Sequence, residues 1–298
     1  MTRVLAIAGR KQSGKSTLCN FLHGYQMRCF DIIKDFVITN EGELFVNAGV
    51  GEDGKEEDSF LKLDISRRDG EFLHWAEGVM FPFVKRYSFA SELKKICVEL
   101  FDIPHECCFG TDEQKNQVQE HLLWENMPGV VTDSTGDIFG DVQEASLDPH
   151  GFPSDYYKLT HHEPGPMTAR EFMQFLGTDV MRKIWEPVWI NRTIKKIDQE
   201  KPLLAVIDDM RFTDELLKIK EYWGDLSMCV GLARNVKEDS HSSEDADPVI
   251  SACDLIMDNS TMTIDEVNKE LISNLDSSGW LGDDMSKTKK TPLHQIRK

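Results

Sequence analysis

Residues 9–17, Gly9-Arg10-Lys11-Gln12-Ser13-Gly14-Lys15-Ser16-Thr17, follow directly on the apolar run Val4-Leu5-Ala6-Ile7-Ala8. A short apolar run closed by glycine reads as a buried strand, and Leu18, Phe21, Leu22 and Tyr25 recur at helical spacing over residues 16–26. The local order is therefore strand, glycine loop, helix. Gly9-x-x-x-x-Gly14-Lys15-Ser16 is the full phosphate-loop pattern. Its glycines let backbone N–H groups converge on phosphate oxygens, and the helix N-terminus adds partial positive charge. Lys15 is suited to the β and γ phosphates, and the Ser16 hydroxyl to Mg²⁺. A nucleoside triphosphate held by Gly9, Arg10, Ser13, Gly14, Lys15, Ser16 and Thr17 is the expectation.

Outward from this loop, the 298 residues suit one large α/β domain or two small ones. A second strong strand, Leu203 to Ile207, ends in Asp208-Asp209 and is followed by Met210-Arg211. Further strands are expected over residues 83–90, over Ser227 to Asn235 and over Asp254 to Asn259. Helices are expected over residues 91–101, with Leu93, Ile96, Cys97, Leu100 and Phe101 on its apolar side, and over residues 168–184, 213–223 and 264–275, the second of the four opened by a capping box of Thr168 and Glu171. Strands alternating with helices imply an α/β fold with a mostly parallel sheet and helices on both faces, whose ligands sit at the carboxyl ends of the strands. We read residues 1–275 as one such domain carrying two insertions. The first, about 36–80, contains a hairpin turning on Asn40-Glu41-Gly42 and the acidic loop GEDGKEED. The second, about 130–165, is rich in Gly, Pro, Asp, Ser and His and suits a flap. Residues 276–298 read as a frayed basic tail.

The formal charge of −18 argues against broad attraction to nucleic acid or anionic membrane. No membrane span and no secretory leader is read, so the expectation is a cytoplasmic protein. Seven cysteines without a C-x-x-C pair read as reduced thiols. The adjacent pairs His161-His162 and Cys107-Cys108 cannot readily present both side chains to one ion, so no metal beyond Mg²⁺ is expected.

Triphosphate binding is not yet a reaction. Asn235-Val236-Lys237-Glu238 fails the guanine-reading N-K-x-D, which speaks against a GTPase switch. An acid at the end of the second strand, Asp209, suits Mg²⁺, while Arg211 adds a fork-shaped cation suited to an anionic second substrate. Lys94 opens the helix after the strand at 83–90. Arg170 and Arg182 flank Leu176-Gly177-Thr178-Asp179, and on an α-helix Arg170, Gln174, Gly177 and Thr178 share one face. This combination favours a small-molecule kinase.

The stretches FASELK, FGTDEQKN, REFMQFLGTD, the tryptophan of PVWIN, DMRFTDE and HSSE, in this order, resemble the motif series of phage-type deoxynucleoside monophosphate kinases. The resemblance covers residues 4–30, 83–127 and 168–275. It implies a P-loop kinase fold, ATP as phosphoryl donor with Mg²⁺ on Ser16 and Asp209, and a deoxynucleoside monophosphate near Lys94, Arg170, Gly177, Thr178, Arg182, Trp189, Asp209, Arg211 and Glu215. Lys15, Arg211 and Arg234 are then the catalytic cations, Arg234 as a lid residue. His241 and Glu244 match the motif without an assigned role. A stable nucleic-acid partner is not expected, a phage-encoded chain would work in host cytoplasm, and a homodimer stays open. So do two rivals: a related kinase acting on another acceptor such as a modified base in DNA, and an ATP-binding assembly factor without acceptor chemistry.

Overall fold

The computed structural model describes residues 1–49, 59–132, 160–234, 246–278 and 280. Its compact units are residues 1–91 with 186–298, and residues 92–185. The acidic loop GEDGKEED, most of the second insertion, His241, Glu244 and nearly all of the basic tail lie outside the described residues.

The first unit is built on a five-stranded sheet of β1 (Arg3–Gly9), β5 (Val84–Tyr87), β10 (Leu204–Met210), β11 (Ser227–Leu232) and β12 (Leu255–Met257). Their order across the sheet is β12-β11-β1-β10-β5, and every pairing is parallel. β1 is thus central, with Val4 opposite Ala205 on one side and Ser227 on the other. A parallel strand covered on both faces must be apolar throughout. Val4 to Ala8 are accordingly all fully buried.

Helix α1 (Lys15–Cys29) and helix α10 (Ile264–Ser277) cover the sheet with Leu18, Phe21, Leu22, Leu271 and Leu275. The first insertion joins this core. Strands β2 (Asp35–Ile38) and β3 (Leu44–Asn47) form the expected hairpin, with Phe36 opposite Val46, and a short β4 (Leu61–Lys62) extends it. Phe36 and Leu44 are each 1 % exposed and lie against Gly24 of α1. Burying two such side chains contributes about 3–6 kcal/mol. Helix α2 (Gly70–Val79) follows, its N-cap Asp69 accepting from Phe72 N, and it buries Phe72 and Ala76 in the same core. The remaining helices of this unit are α7 (Val188–Glu200), α8 (Thr213–Trp223) and the short α9 (Asp247–Ser251).

The second unit holds most of α3 (Ala90–Phe101), the short α4 (His105–Phe109) and α5 (Asp112–Lys115), and α6 (Ala169–Gln174). It also contains two small ladders. β6 (Val118–Leu123) pairs antiparallel with β9 (Pro166–Thr168), and β7 (Val130–Val131) pairs parallel with β8 (Thr160–His161).

Four expectations are corrected. The strand expected over residues 83–90 stops at Tyr87, because the next residues are drawn into the start of α3. Leu100, expected on the apolar side of α3, is 74 % exposed, while Leu93 and Cys97 are buried. The helix expected over residues 168–184 is α-helical only to Gln174 and becomes π-helical over Phe175–Arg182. A π-helix bonds i to i+5, so the α-spacing that put Arg170, Gln174, Gly177 and Thr178 on one face does not hold through it. Finally, Cys229 and Cys253 are joined as a disulfide with Cα atoms 4.9 Å apart, where reduced thiols were expected. Adjacent parallel strands and the turn before β12 bring the two cysteines together across 24 residues of sequence.

Candidate active site

The loop between β1 and α1 has the backbone that phosphate binding requires. Gly14 sits at φ 100°, ψ 9°, immediately before the first helical residue, in the left-handed region that glycine enters without strain. Gly9 has no room for a side chain: a Cβ there would lie 2.4 Å from Ser13 Oγ and 3.2 Å from the Leu232 carbonyl oxygen of β11. Lys15 arches back over the loop, its Nζ donating to the Gly9 and Arg10 carbonyl oxygens at 2.7 Å each. Arg10 pairs with Asp247 of α9. Ser13 is fully buried, and its Oγ has no hydrogen-bond partner among the described residues.

A cavity of about 540 Å³ opens over this loop. Ser13, Gly14, Lys15, Ser16 and Thr17 line it, as do Arg234, the hairpin-turn residues Asn40 and Glu41, and Met262, Ile264 and Val267 near the start of α10. Asn259 lines it too, and its Nδ2 donates to the Ser13 carbonyl oxygen at 2.8 Å. That bond pins the phosphate loop to the segment after β12. Asn259 was not singled out from the sequence; its place between a strand and a capped helix was the available signal.

At the end of β10 two neighbouring carboxylates face opposite ways, as strand alternation demands. Asp208 is buried and paired with Arg86 of β5 at 2.6 Å, and this pairing raises the arginine's pKa. Its Oδ1 is buried without a partner among the described residues. Asp209 instead fastens the end of β5 to the start of α3: its oxygens accept from Ser88 Oγ at 2.5 Å, Phe89 N at 2.9 Å and Ala90 N at 3.0 Å. Two turns into α1, His23 is fully buried with Nδ1 2.8 Å from the Cys19 carbonyl oxygen. Burial lowers its pKa to about 4, and the Arg86 charge pushes the same way.

Two further candidates of this unit adjoin β10. Glu215 is 3 % exposed, and its Oε2 accepts from the backbone N–H groups of Arg211 at 2.8 Å and Phe212 at 3.1 Å. It therefore caps α8 and fixes the turn that carries Arg211. Trp189, in the first turn of α7, is 7 % exposed.

In the second unit, the motif FGTDEQKN is a capped turn. Thr111 and Gln114 form a capping box, and Asp112 and Asn116 together hold Arg170. Arg170 Nη2 lies 2.6 Å from Asp112 Oδ1, and Nε donates to Asn116 Oδ1 at 3.0 Å. Lys94 stands 5.3 Å from the centre of the Phe109 ring. Gly177 packs so closely that a Cβ would lie 2.6 Å from Leu93 Cδ2. Thr178 and Arg182 lie on the π-helical stretch and are half-buried. Lys94, Arg170, Gly177, Thr178 and Arg182 thus share this unit, and the phosphate-loop residues with Asp209, Arg211, Glu215, Trp189 and Arg234 share the other.

A parallel sheet with the glycine loop at the carboxyl end of its central strand, and helices flanking it, is a P-loop kinase-type fold. A family model described as deoxynucleotide monophosphate kinase matches residues 134–271, which include L-G-T-D and D-x-R-F-x-x-E. That match supports the family the motifs resemble. Comparison with curated proteins gave no match.

Proposed function

We propose that the protein transfers the γ-phosphoryl group of ATP to the 5′-monophosphate of a deoxynucleoside, giving the diphosphate and ADP. The observation that carries this reading is the loop itself: Gly14 left-handed ahead of α1, and Lys15 held at the loop carbonyls, beside a cavity also bordered by Arg234. The match to a deoxynucleotide monophosphate kinase model supports the acceptor.

The chemistry is positioning and charge neutralisation, because phosphoryl transfer leaves the protein little covalent work. Backbone amides of residues 13–17 and the Lys15 ammonium take the donor phosphates. Arg234 neutralises the transferred group from across the cavity. Arg211, on a turn held rigid by Glu215, offers a fork to the acceptor phosphate. Trp189 is the other acceptor residue proposed on this unit, and Lys94, Arg170, Gly177, Thr178 and Arg182 of the second unit are proposed as acceptor contacts from the motif resemblance alone.

Mg²⁺ fits the donor side. Ser16 borders the cavity, and the orphaned Asp208 Oδ1 is a hard oxygen of the kind Mg²⁺ takes. Both oxygens of Asp209, the carboxylate expected at the ion, already accept hydrogen bonds, and Asp208 is paired with Arg86 through Oδ2, so Asp208 Oδ1 is the carboxylate oxygen here without a partner among the described residues. Ser16 with one of these carboxylates would hold Mg²⁺, which would supply charge neutralisation to the donor phosphates. Such a reaction draws on free nucleotides in the cytoplasm.

The test is a coupled assay of ADP release over a panel of deoxynucleoside and ribonucleoside monophosphates with ATP and Mg²⁺. The expected result is acceptor-dependent turnover that Lys15→Ala and Arg211→Ala abolish. Full activity in Lys15→Ala would refute the donor assignment. ATP binding without acceptor-stimulated turnover would refute the kinase reading.

A further inference from the structure

The hairpin of β2 and β3 has no role in the reaction as proposed, yet its turn stands at the donor cavity. Two contacts bring it there. Asn20 Nδ2 donates to the Gly42 carbonyl oxygen at 2.8 Å, and Gly42, at φ 81°, approaches α1 so closely that a Cβ would lie 2.2 Å from Thr17 Oγ1. The turn is internally braced as well: Thr39 N donates to Glu43 O and Gly42 N to Thr39 O, both at 2.9 Å. At the other end Phe36 and Leu44 seat the hairpin on Gly24. A turn braced at both ends holds its side chains in place at low entropic cost.

Those side chains are Asn40 and Glu41, both exposed and both lining the cavity. Phosphate charge belongs at the loop amides and Lys15, and a carboxylate is repelled from it. Gly42, the residue after Glu41, packs on Thr17, past Lys15 along α1, and Glu41 borders the same cavity. What a carboxylate can meet there is a hydrogen-bond donor, and the nucleoside half of the donor nucleotide offers sugar hydroxyls. The apolar Met262, Ile264 and Val267 border the same cavity and offer a surface to the base.

We propose that the hairpin forms a wall of the donor site and that Glu41 accepts hydrogen bonds from the sugar hydroxyls of the phosphoryl donor, selecting a ribonucleotide over its 2′-deoxy analogue, with Asn40 assisting. This rests on the phosphate loop being the donor site.

The test compares ATP and dATP as donors at fixed acceptor, for the wild type, Glu41→Ala, Glu41→Gln and Asn40→Ala. The wild type is expected to show a lower KM for ATP than for dATP. Glu41→Ala should raise the ATP KM about tenfold, the worth of one hydrogen bond to a charged group, and leave the acceptor KM and kcat nearly unchanged. The ATP and dATP values should then converge, with Glu41→Gln intermediate. Thermal melts of the variants with and without a non-hydrolysable ATP analogue read binding independently of turnover. An unchanged ATP-to-dATP ratio in Glu41→Ala, with the analogue still stabilising both proteins, overturns the hairpin's role alone. Failure of the wild type to bind any nucleoside triphosphate overturns the donor site and this inference with it.

Discussion

Replacing His23 with glutamine removes a titrating ring from the buried side of α1, and the consequence for stability has a definite sign. The ring is fully buried, its Nδ1 meets the Cys19 carbonyl oxygen, and Nε2 has no partner among the described residues. Burial holds its pKa near about 4, against 6.5 for the exposed ring. The unfolded chain therefore takes up the proton first as pH falls. The neutral ring's contribution is complete above pH 6.5, drains away between there and about 4, and does not change further below. A difference of two to three pKa units corresponds to about 3 kcal/mol. Glutamine shifts stability by an amount that does not vary with pH, so the slope is what distinguishes the two proteins. Urea unfolding at several pH values between 7.5 and 4.5 should show the wild type losing about 3 kcal/mol more than His23→Gln. Other groups titrate equally in both proteins and cancel. Parallel stability curves would refute the argument, because they would mean that the ring is hydrated or charged in the folded protein.

Three further outcomes follow from the packing. Gly24→Val drives a side chain into Phe36 and Leu44, which a Cβ alone would approach to 2.4 and 2.9 Å; calorimetry should show a loss of about 1–3 kcal/mol. Asp209→Ala leaves the N–H groups of Phe89 and Ala90 without their acceptor, and denaturant unfolding should show a loss of about 2–3 kcal/mol. Thr168→Ala removes the cap of α6, and the same measurement should show a loss of about 1 kcal/mol.

The phosphate loop was legible because its requirements are local: a glycine where φ is positive, another where no side chain fits, and a lysine at a fixed spacing between strand and helix. The hairpin was legible for the same reason, since Asn40-Glu41-Gly42 is turn chemistry between two apolar runs. Helix α2 was missed within that insertion although Asp69 signals its start; the surrounding polar residues obscured a short apolar face. The π-helical stretch was not readable, because α- and π-helices use the same residues and differ only in which carbonyl each N–H reaches. Nor could the sequence say which of Asp208 and Asp209 pairs with Arg86 and which holds the start of α3. Alternation guarantees that they diverge, but the assignment depends on which helices cover each face of the sheet. The disulfide between Cys229 and Cys253 was hidden likewise, because only the strand pairing brings those positions together. Arg170 was found from its motif, but its partners Asp112 and Asn116 come from a turn more than fifty residues earlier.

The notch at Gly24 has a consequence for any shortened version of this chain. Phe36 and Leu44 complete the surface of α1 there, so splicing α1 directly to β5 would strip a dent in the helix bare to water. A trimmed chain would need a bulkier residue at position 24 to heal it, and the helix that carries Lys15 would otherwise enter the reaction with its flank unsupported.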